Sequence, residues 1–274
     1  MNRKTIIGVG GWILAAWWAC IPAFGEETIS APSLEEEAAP TPSVQSRGER
    51  WTLEGRVGYN IGAATPIGIP NTIRKVNSFS LTPNVQVGLD VHYPIGCSWG
   101  VQAGLRLENK GMDVAVTTKG YHMAMVKGGE ELEGVYTGRV EQQLKQWMLT
   151  VPVTATLCVG HNWRLKAGPY MSFVTAQDFS GNVSNGYLRK DTPTGQKIEM
   201  GDAPDERATY DFSDDMRRWQ VGLTAGAAWL FAGRWGLSAD LSWGLTGIMK
   251  SSFKTVEQTL YPIYGTIALT YQIK

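Results

Sequence analysis

From Trp51 to the end of the chain, apolar and polar positions alternate in a series of short runs. In the first run the apolar face consists of Trp51, Leu53, Val57, Tyr59 and Ile61. The residues between them are polar, charged or small: Thr52, Glu54, Arg56, Gly58 and Asn60. A period of two residues is the pattern of a β-strand with two different faces, so this run predicts the first strand.

The same alternation returns seven times, which predicts eight strands in an all-β fold. Their ranges are 51–61, 85–93, 99–107, 147–157, 163–173, 219–229, 235–245 and 261–273. An even number of antiparallel strands is typical of single-chain bacterial outer-membrane barrels. We therefore predict an eight-stranded antiparallel transmembrane β-barrel of the outer-membrane type over residues 51–274.

The lengths of the connections support this prediction independently. Short links at 94–98, 160–162 and 232–234 alternate with long ones at 62–77, 111–142, 176–217 and 247–258. Outer-membrane barrels have short periplasmic turns and long extracellular loops. The sequence thus predicts long extracellular loops, short periplasmic turns, and both termini in the periplasm.

Aromatic residues of the apolar face form two rows. Near the short links lie Trp51, Tyr93, Trp99, Trp163, Trp229, Trp235 and Tyr271. Near the long links lie Tyr59, Trp147, Phe173, Trp219, Trp243 and Tyr261. Rings at both ends of the apolar band are typical of the two membrane interfaces.

The opposite face carries many charges, which we expect to line the lumen with Tyr170. They are Glu54, Arg56, Asp90, Arg106, Glu108, Arg164, Lys166 and Asp240. An eight-stranded lumen is just wide enough for side chains to fill, so these groups should pair and plug it. The alternative is a soluble lipocalin-like barrel with the charges outside, but it leaves both aromatic rows unexplained.

The first 50 residues have a different composition. Arg3 and Lys4 precede an apolar run that ends in small residues, which predicts a signal peptide over 1–25, with an uncleaved membrane anchor as the alternative. Cys20 only faintly resembles a lipidation site. Residues 26–50 contain prolines, serines and glutamates and predict an acidic periplasmic linker, or else an acidic interaction tail.

Overall charge gives no indication of a nucleic-acid partner. The 25 basic and 25 acidic residues balance, and removal of Arg3 and Lys4 with the signal leaves 23 − 25 = −2. Because a transmembrane barrel is predicted, outer-membrane lipid is the first expected partner. Cell-envelope or secretion proteins and an extracellular ligand are further candidates.

Residues with catalytic or ligating chemistry are few, and we predict no catalytic, cofactor or metal site. His92 and His161 fall near the predicted periplasmic end, and His122 falls in a predicted loop without a nearby serine. Acids of the third long loop form a candidate Ca²⁺ site, although a solvated loop explains them more simply: Asp202, Asp205, Glu206, Asp211, Asp214 and Asp215.

Cys97 and Cys158 should meet at the periplasmic rim, because antiparallel pairing of the third and fourth strands brings them together. The periplasm is oxidising, but the direction of Cys97 in its turn is open. A disulfide is therefore one of two alternatives.

Four short motifs resemble those of PorT-like outer-membrane β-barrel proteins of the Bacteroidetes. They are Gly104–Gly111, Leu149–Pro152, Ala167–Tyr170 and Asp240–Thr246, in the same order. The founding member of that family is associated with type IX protein secretion, so the resemblance implies such a link.

Three hypotheses of function follow: a structural or assembly-partner barrel, which is non-enzymatic and linked to secretion; a surface receptor or adhesin that acts through long loops; and a lipid-modifying enzyme. The histidine positions disfavour the third.

Overall fold

The computed structural model describes residues 51–274, apart from 69–70, 81, 191, 232 and 254–258. The predicted signal peptide over 1–25, Cys20 and the predicted linker over 26–50 lie outside the described residues.

Eleven strands make up almost all of the regular structure in this part of the chain. They are β1 Thr52–Pro66, β2 Ile73–Ser80, β3 Val85–Pro94, β4 Trp99–Lys127, β5 Glu130–Val159, β6 Trp163–Lys190, β7 Lys197–Met200, β8 Ala208–Asp211, β9 Trp219–Phe231, β10 Trp235–Gly244 and β11 Leu260–Gln272. A single 3-10 turn lies at Ser213–Asp215. Among the described residues, no helix is long and apolar enough to cross a membrane.

Eight of these strands form a closed antiparallel ring in the order β1–β3–β4–β5–β6–β9–β10–β11. The ring closes where β11 pairs with β1, from Glu54 opposite Gln272 to Pro66 opposite Leu260. Closure gives the backbone N–H and C=O groups of every strand in the ring a hydrogen-bonded neighbour on both sides, because an unpaired backbone group inside a membrane is costly. The predicted eight-stranded outer-membrane barrel is confirmed.

The apolar face of the ring points outward. Leu89, Val153 and Leu241 are 51%, 47% and 55% exposed, and most large apolar residues of the barrel share this position. A continuous exposed apolar surface requires a lipid solvent. The soluble alternative is therefore wrong for this chain.

Both aromatic rows lie on this outward face. At the short-turn end, Trp163 stacks on Trp229 with ring centroids 6.4 Å apart. At the long-connection end, Phe173 packs against Trp219 at 4.8 Å. The rows mark the two edges of the apolar belt.

Two of the predicted long loops are instead continuations of strands. β4, β5 and β6 contain 29, 30 and 28 residues, whereas about 9–11 cross a membrane. The loops predicted at 111–142 and 176–217 are therefore largely strand, and His122 lies on β4 and not in a loop. Gly128 and Gly129 form the tight β4–β5 turn with φ of +61° and +88°, a conformation that favours glycine.

The part beyond the belt is called the extension below. It consists of residues 111–127 of β4, 130–145 of β5 and 178–190 of β6, together with β2, β7 and β8. β8 pairs with β6 on one side, and its Thr209 pairs with Val126 of β4 on the other. This pairing closes β4, β5, β6 and β8 around an apolar core that includes Met123, Met125, Leu132, Tyr136, Val140, Phe179, Val183, Leu188, Ala208 and Tyr210.

Candidate functional site

An ion-pair network fills the centre of the barrel lumen. Arg56 donates through Nη1 to Asp90 at 3.1 Å and through Nη2 to Asp240 at 2.7 Å. Arg106 approaches the same Asp90 at 3.2 Å, and the Lys166 ammonium lies 2.9 Å from Asp240. Two carboxylates thus hold three cations, all of them buried.

Two smaller groups extend the network along the lumen. Arg164 donates to Glu54 at 2.6 Å. Glu108 accepts from the Gln86 amide and the Thr150 hydroxyl, both at 2.6 Å, and pairs with Lys110 at 3.0 Å. The predicted lumen residues, Tyr170 included, are all buried inside the ring.

Sequence reasoning missed several members of this network, of which Lys110 is the clearest. The prediction ended the third strand at Leu107, yet Lys110 continues the parity of Arg106 and Glu108 in β4. The Lys110 ammonium lies 5.5 Å from the ring centre of Tyr170 and 5.4 Å from that of Tyr264. Extending the alternation by three residues would have found it.

Little space remains between these side chains. The cavity beside Arg106, Glu108 and Tyr170 has a volume of about 20 Å³, enough for one water molecule. The lumen therefore serves as a packed, charged core of the barrel.

The three histidines lie in three different environments. His92 is buried and its Nε2 lies 3.0 Å from the Thr156 hydroxyl, which is itself buried. His161 is exposed in a turn. His122 on β4 lies 3.8 Å from Glu133, and both side chains are partly or largely exposed.

The acids of the third long connection are dispersed. Asp202 pairs with Arg207 at 3.0 Å. Asp211 accepts from the Ser213 hydroxyl and amide, and these hydrogen bonds hold the pKa of its carboxyl below the ordinary value. Within the described ranges, no group of three or more His, Cys, Asp or Glu residues could hold a metal ion.

Cys97 and Cys158 lie at the same rim but are both free and exposed. The Cys158 amide donates to the carbonyl of Ser98, next to Cys97, at 2.7 Å. The predicted proximity is confirmed, and of the two alternatives the structure contains free thiols.

The extension carries a cleft of about 700 Å³ that is lined by both polar and apolar residues, called the extension cleft below. Two cross-strand rows line it. The first runs through Ser80, Asp113, Gln143, Ser180 and Asp211, one from each of β2, β4, β5, β6 and β8. The second row runs through Ser78, Ala115, Glu141, Asn182 and Thr209 in the same strands.

The charges of the extension cleft are unequal. Its lining contains three carboxylates, Asp113, Glu141 and Asp211, and one guanidinium, Arg139, so the formal charge is 1 − 3 = −2. Arg139 lies 2.9 Å from Glu141. Two buried lining atoms have no hydrogen-bond partner among the described residues: Asp113 Oδ1 and Arg139 Nε.

Tyr210 fixes the wall between β8 and the neighbouring strands. Its hydroxyl donates to the Glu141 carbonyl at 3.0 Å, and burial raises its pKa. The ring lies directly against Gly181, where a Cβ atom would approach the Tyr210 hydroxyl to 2.3 Å. Glycine at this position therefore allows the close packing that shapes the cleft.

Solved outer-membrane barrels are similar to this chain at low sequence identity. Ail, the attachment invasion locus protein of Yersinia pestis, is 8% identical with a TM-score of 0.33, and the match covers 81% of this chain and 97% of Ail. Neisserial surface protein A is 7% identical with a TM-score of 0.35, covering 81% and 97%. The translocator domain of the autotransporter NalP from Neisseria meningitidis is 8% identical with a TM-score of 0.24, covering 83% and 90%.

No curated protein sequence matches this chain significantly. Residues 43–250, most of the chain, match the family described as outer membrane protein beta-barrel domain. That match agrees with the closed ring of eight strands and its apolar outer belt. The chain therefore belongs to the outer-membrane protein β-barrel domain family and is a protein of the outer membrane.

Proposed function

We propose that this protein is a non-enzymatic surface receptor or adhesin, in which the barrel is the anchor and the extension binds an extracellular ligand. One observation carries the proposal: β4, β5 and β6 continue far beyond the belt and build a second core that carries a cleft. Strands of that length exceed what the membrane requires. The filled lumen leaves the extension as the part available for binding.

The proposal requires the extension to lie outside the cell, with both termini in the periplasm. The alternation of short turns and long connections supports this orientation, since it is the usual one for such barrels. An impermeant maleimide on intact cells tests it, in a background with Cys97 and Cys158 replaced by serine. Glu131→Cys at the exposed hairpin tip should react, and Asn162→Cys in a short turn should not. Reaction of Asn162→Cys alone would mean that the barrel has the opposite orientation, with the short turns outside the cell.

A role as an assembly partner in type IX secretion is the alternative, and it rests on the PorT-like motifs alone. A deletion strain separates the two roles. Normal protein export with lost adhesion to matrix or host surfaces supports the receptor. Lost export with normal adhesion supports the secretion role and removes the receptor proposal.

A further inference from the structure

We propose that the extension cleft binds a short, uncharged oligosaccharide. The inference rests on the proposed function for access of the ligand from outside the cell. It adds the chemical class of the ligand, which the following observations support.

The lining of the cleft suits a ligand covered with hydroxyl groups. Apart from Ala115, both rows consist of hydroxyl, amide and carboxylate side chains, so donors and acceptors are interspersed along the cleft. A sugar hydroxyl both donates and accepts a hydrogen bond. An apolar ligand would bury the same side chains without partners, which costs free energy for each of them. The volume of about 700 Å³ lies in the usual range for small-molecule sites.

The charge of the cleft disfavours anionic saccharides. Three carboxylates face one guanidinium, and that guanidinium already lies 2.9 Å from Glu141. Sulfate or carboxylate groups on a ligand would meet three carboxylates and only one guanidinium in the lining, and such repulsion is an effective source of specificity. A neutral ligand avoids this repulsion and can still exchange hydrogen bonds with the hydroxyl, amide and carboxylate side chains of the cleft.

Two atoms in the lining support a ligand with both donors and acceptors. Asp113 Oδ1 is an acceptor and Arg139 Nε is a donor, and neither has a partner among the described residues. Asp113 pairs with Gln143, whereas Arg139 lies four residues away along β5, so an oligosaccharide of more than one sugar is needed to pair with both atoms. Because the cleft is built on paired strands, little backbone ordering would be needed.

The test uses the full-length protein in detergent on an array of neutral, amino, sulfated and sialylated oligosaccharides, with extended peptides as a further class. We expect neutral oligosaccharides to bind. Asp113→Asn removes an acceptor while keeping the shape, and should weaken binding about 10-fold or more, as expected for a lost hydrogen bond to a charged group. Glu131→Gln at the hairpin tip is the matched control and should bind as the unmodified protein does. An unchanged rate of limited proteolysis in the extension, together with the heat-modifiable gel band of the barrel, confirms that each variant is folded.

Several outcomes would overturn the inference. They are binding of sulfated or sialylated glycans alone, binding of peptides alone, equal affinities of Asp113→Asn and the unmodified protein, and no neutral-glycan binding up to about 1 mM. Peptide or anionic-glycan binding would leave the receptor proposal intact. Maleimide reaction at Asn162 with none at Glu131 would instead remove the receptor proposal itself.

Discussion

The same three strands pass through two regions with opposite interiors. Within the belt, β4 points Arg106 into the lumen and Leu105 toward lipid. In the extension, β4 points Met123 into the core and His122 outward. A register irregularity between Thr118 and Tyr121 lies within the extension, and across it the inward-facing position changes from even residues such as Met112 to odd residues such as Met123.

The difference teaches that the surrounding solvent decides which face of a strand is apolar. Within the belt the apolar face contacts lipid, so the charged side chains point into the lumen, where they must form ion pairs and hydrogen bonds with one another. In the extension the polar face contacts water, so the apolar side chains point inward and pack against one another. One chain thereby combines a core of ion pairs with a core of hydrophobic contacts, and these should respond differently to substitution.

Arg56→Ala should give the largest loss of stability, because Arg56 alone bridges Asp90 and Asp240. Its side chain is fully buried, and its removal takes one positively charged partner from each of the two buried carboxylates. Breaking a buried pair from one side typically costs about 3–5 kcal/mol. The temperature at which the compact gel band is lost should fall clearly. Arg74→Ala on the exposed strand β2 is the control, and equal temperatures for the two variants would contradict a stabilising network.

Leu188→Ala should destabilise the extension by about 2–5 kcal/mol while leaving the barrel intact. Leu188 on β6 is completely buried and pairs across strands with Tyr136 and Ile198. Limited proteolysis should cut the extension faster, without any change in the gel-band temperature. Val126→Ala at a partly exposed position is the control. A parallel fall in the gel-band temperature would mean that the two cores unfold as one.

This contrast also explains which features could be predicted from the sequence. The outward position of Leu89 and the inward position of Asp90 could be predicted, because uninterrupted alternation together with the two aromatic rows indicates lipid on the apolar side. Met123 and Leu132 lie in the segment 111–142, where the polar stretches Thr117–Gly120 and Lys127–Glu131 interrupt the alternation, and such a segment predicts a loop. The extension cleft was out of reach, because it depends on the register that sets Asp113 opposite Gln143 and Ser180 opposite Asp211.

Tyr136→Phe should have a smaller effect, about 0.5–1.5 kcal/mol at pH 8. The hydroxyl donates to the Ser184 carbonyl at 2.7 Å inside the extension. Burial raises the pKa of Tyr136 above its ordinary value of 10.0, so the folded state holds this proton more tightly than the unfolded state. The stabilisation that the protonated Tyr136 hydroxyl gives to the folded state is therefore fully present below about pH 10 and is lost as the pH rises above that value. Urea unfolding followed by near-ultraviolet circular dichroism should give a difference between the proteins that shrinks from pH 8 to pH 11.

The last prediction concerns ion conduction. The purified barrel should not conduct ions, so the expected change in current is the smallest of the effects predicted here. The side chains of Arg56, Asp90 and Asp240 meet across the lumen, and the space beside Glu108 holds about 20 Å³. A permeating ion would have to displace groups that are already paired, in a low-dielectric interior where separating them is costly. Planar-bilayer recordings should therefore remain at baseline, with a known porin reconstituted in parallel as the positive control. Stable nanosiemens-scale openings would contradict a packed lumen, and the barrel would then have to be a pore and not only the anchor of the extension.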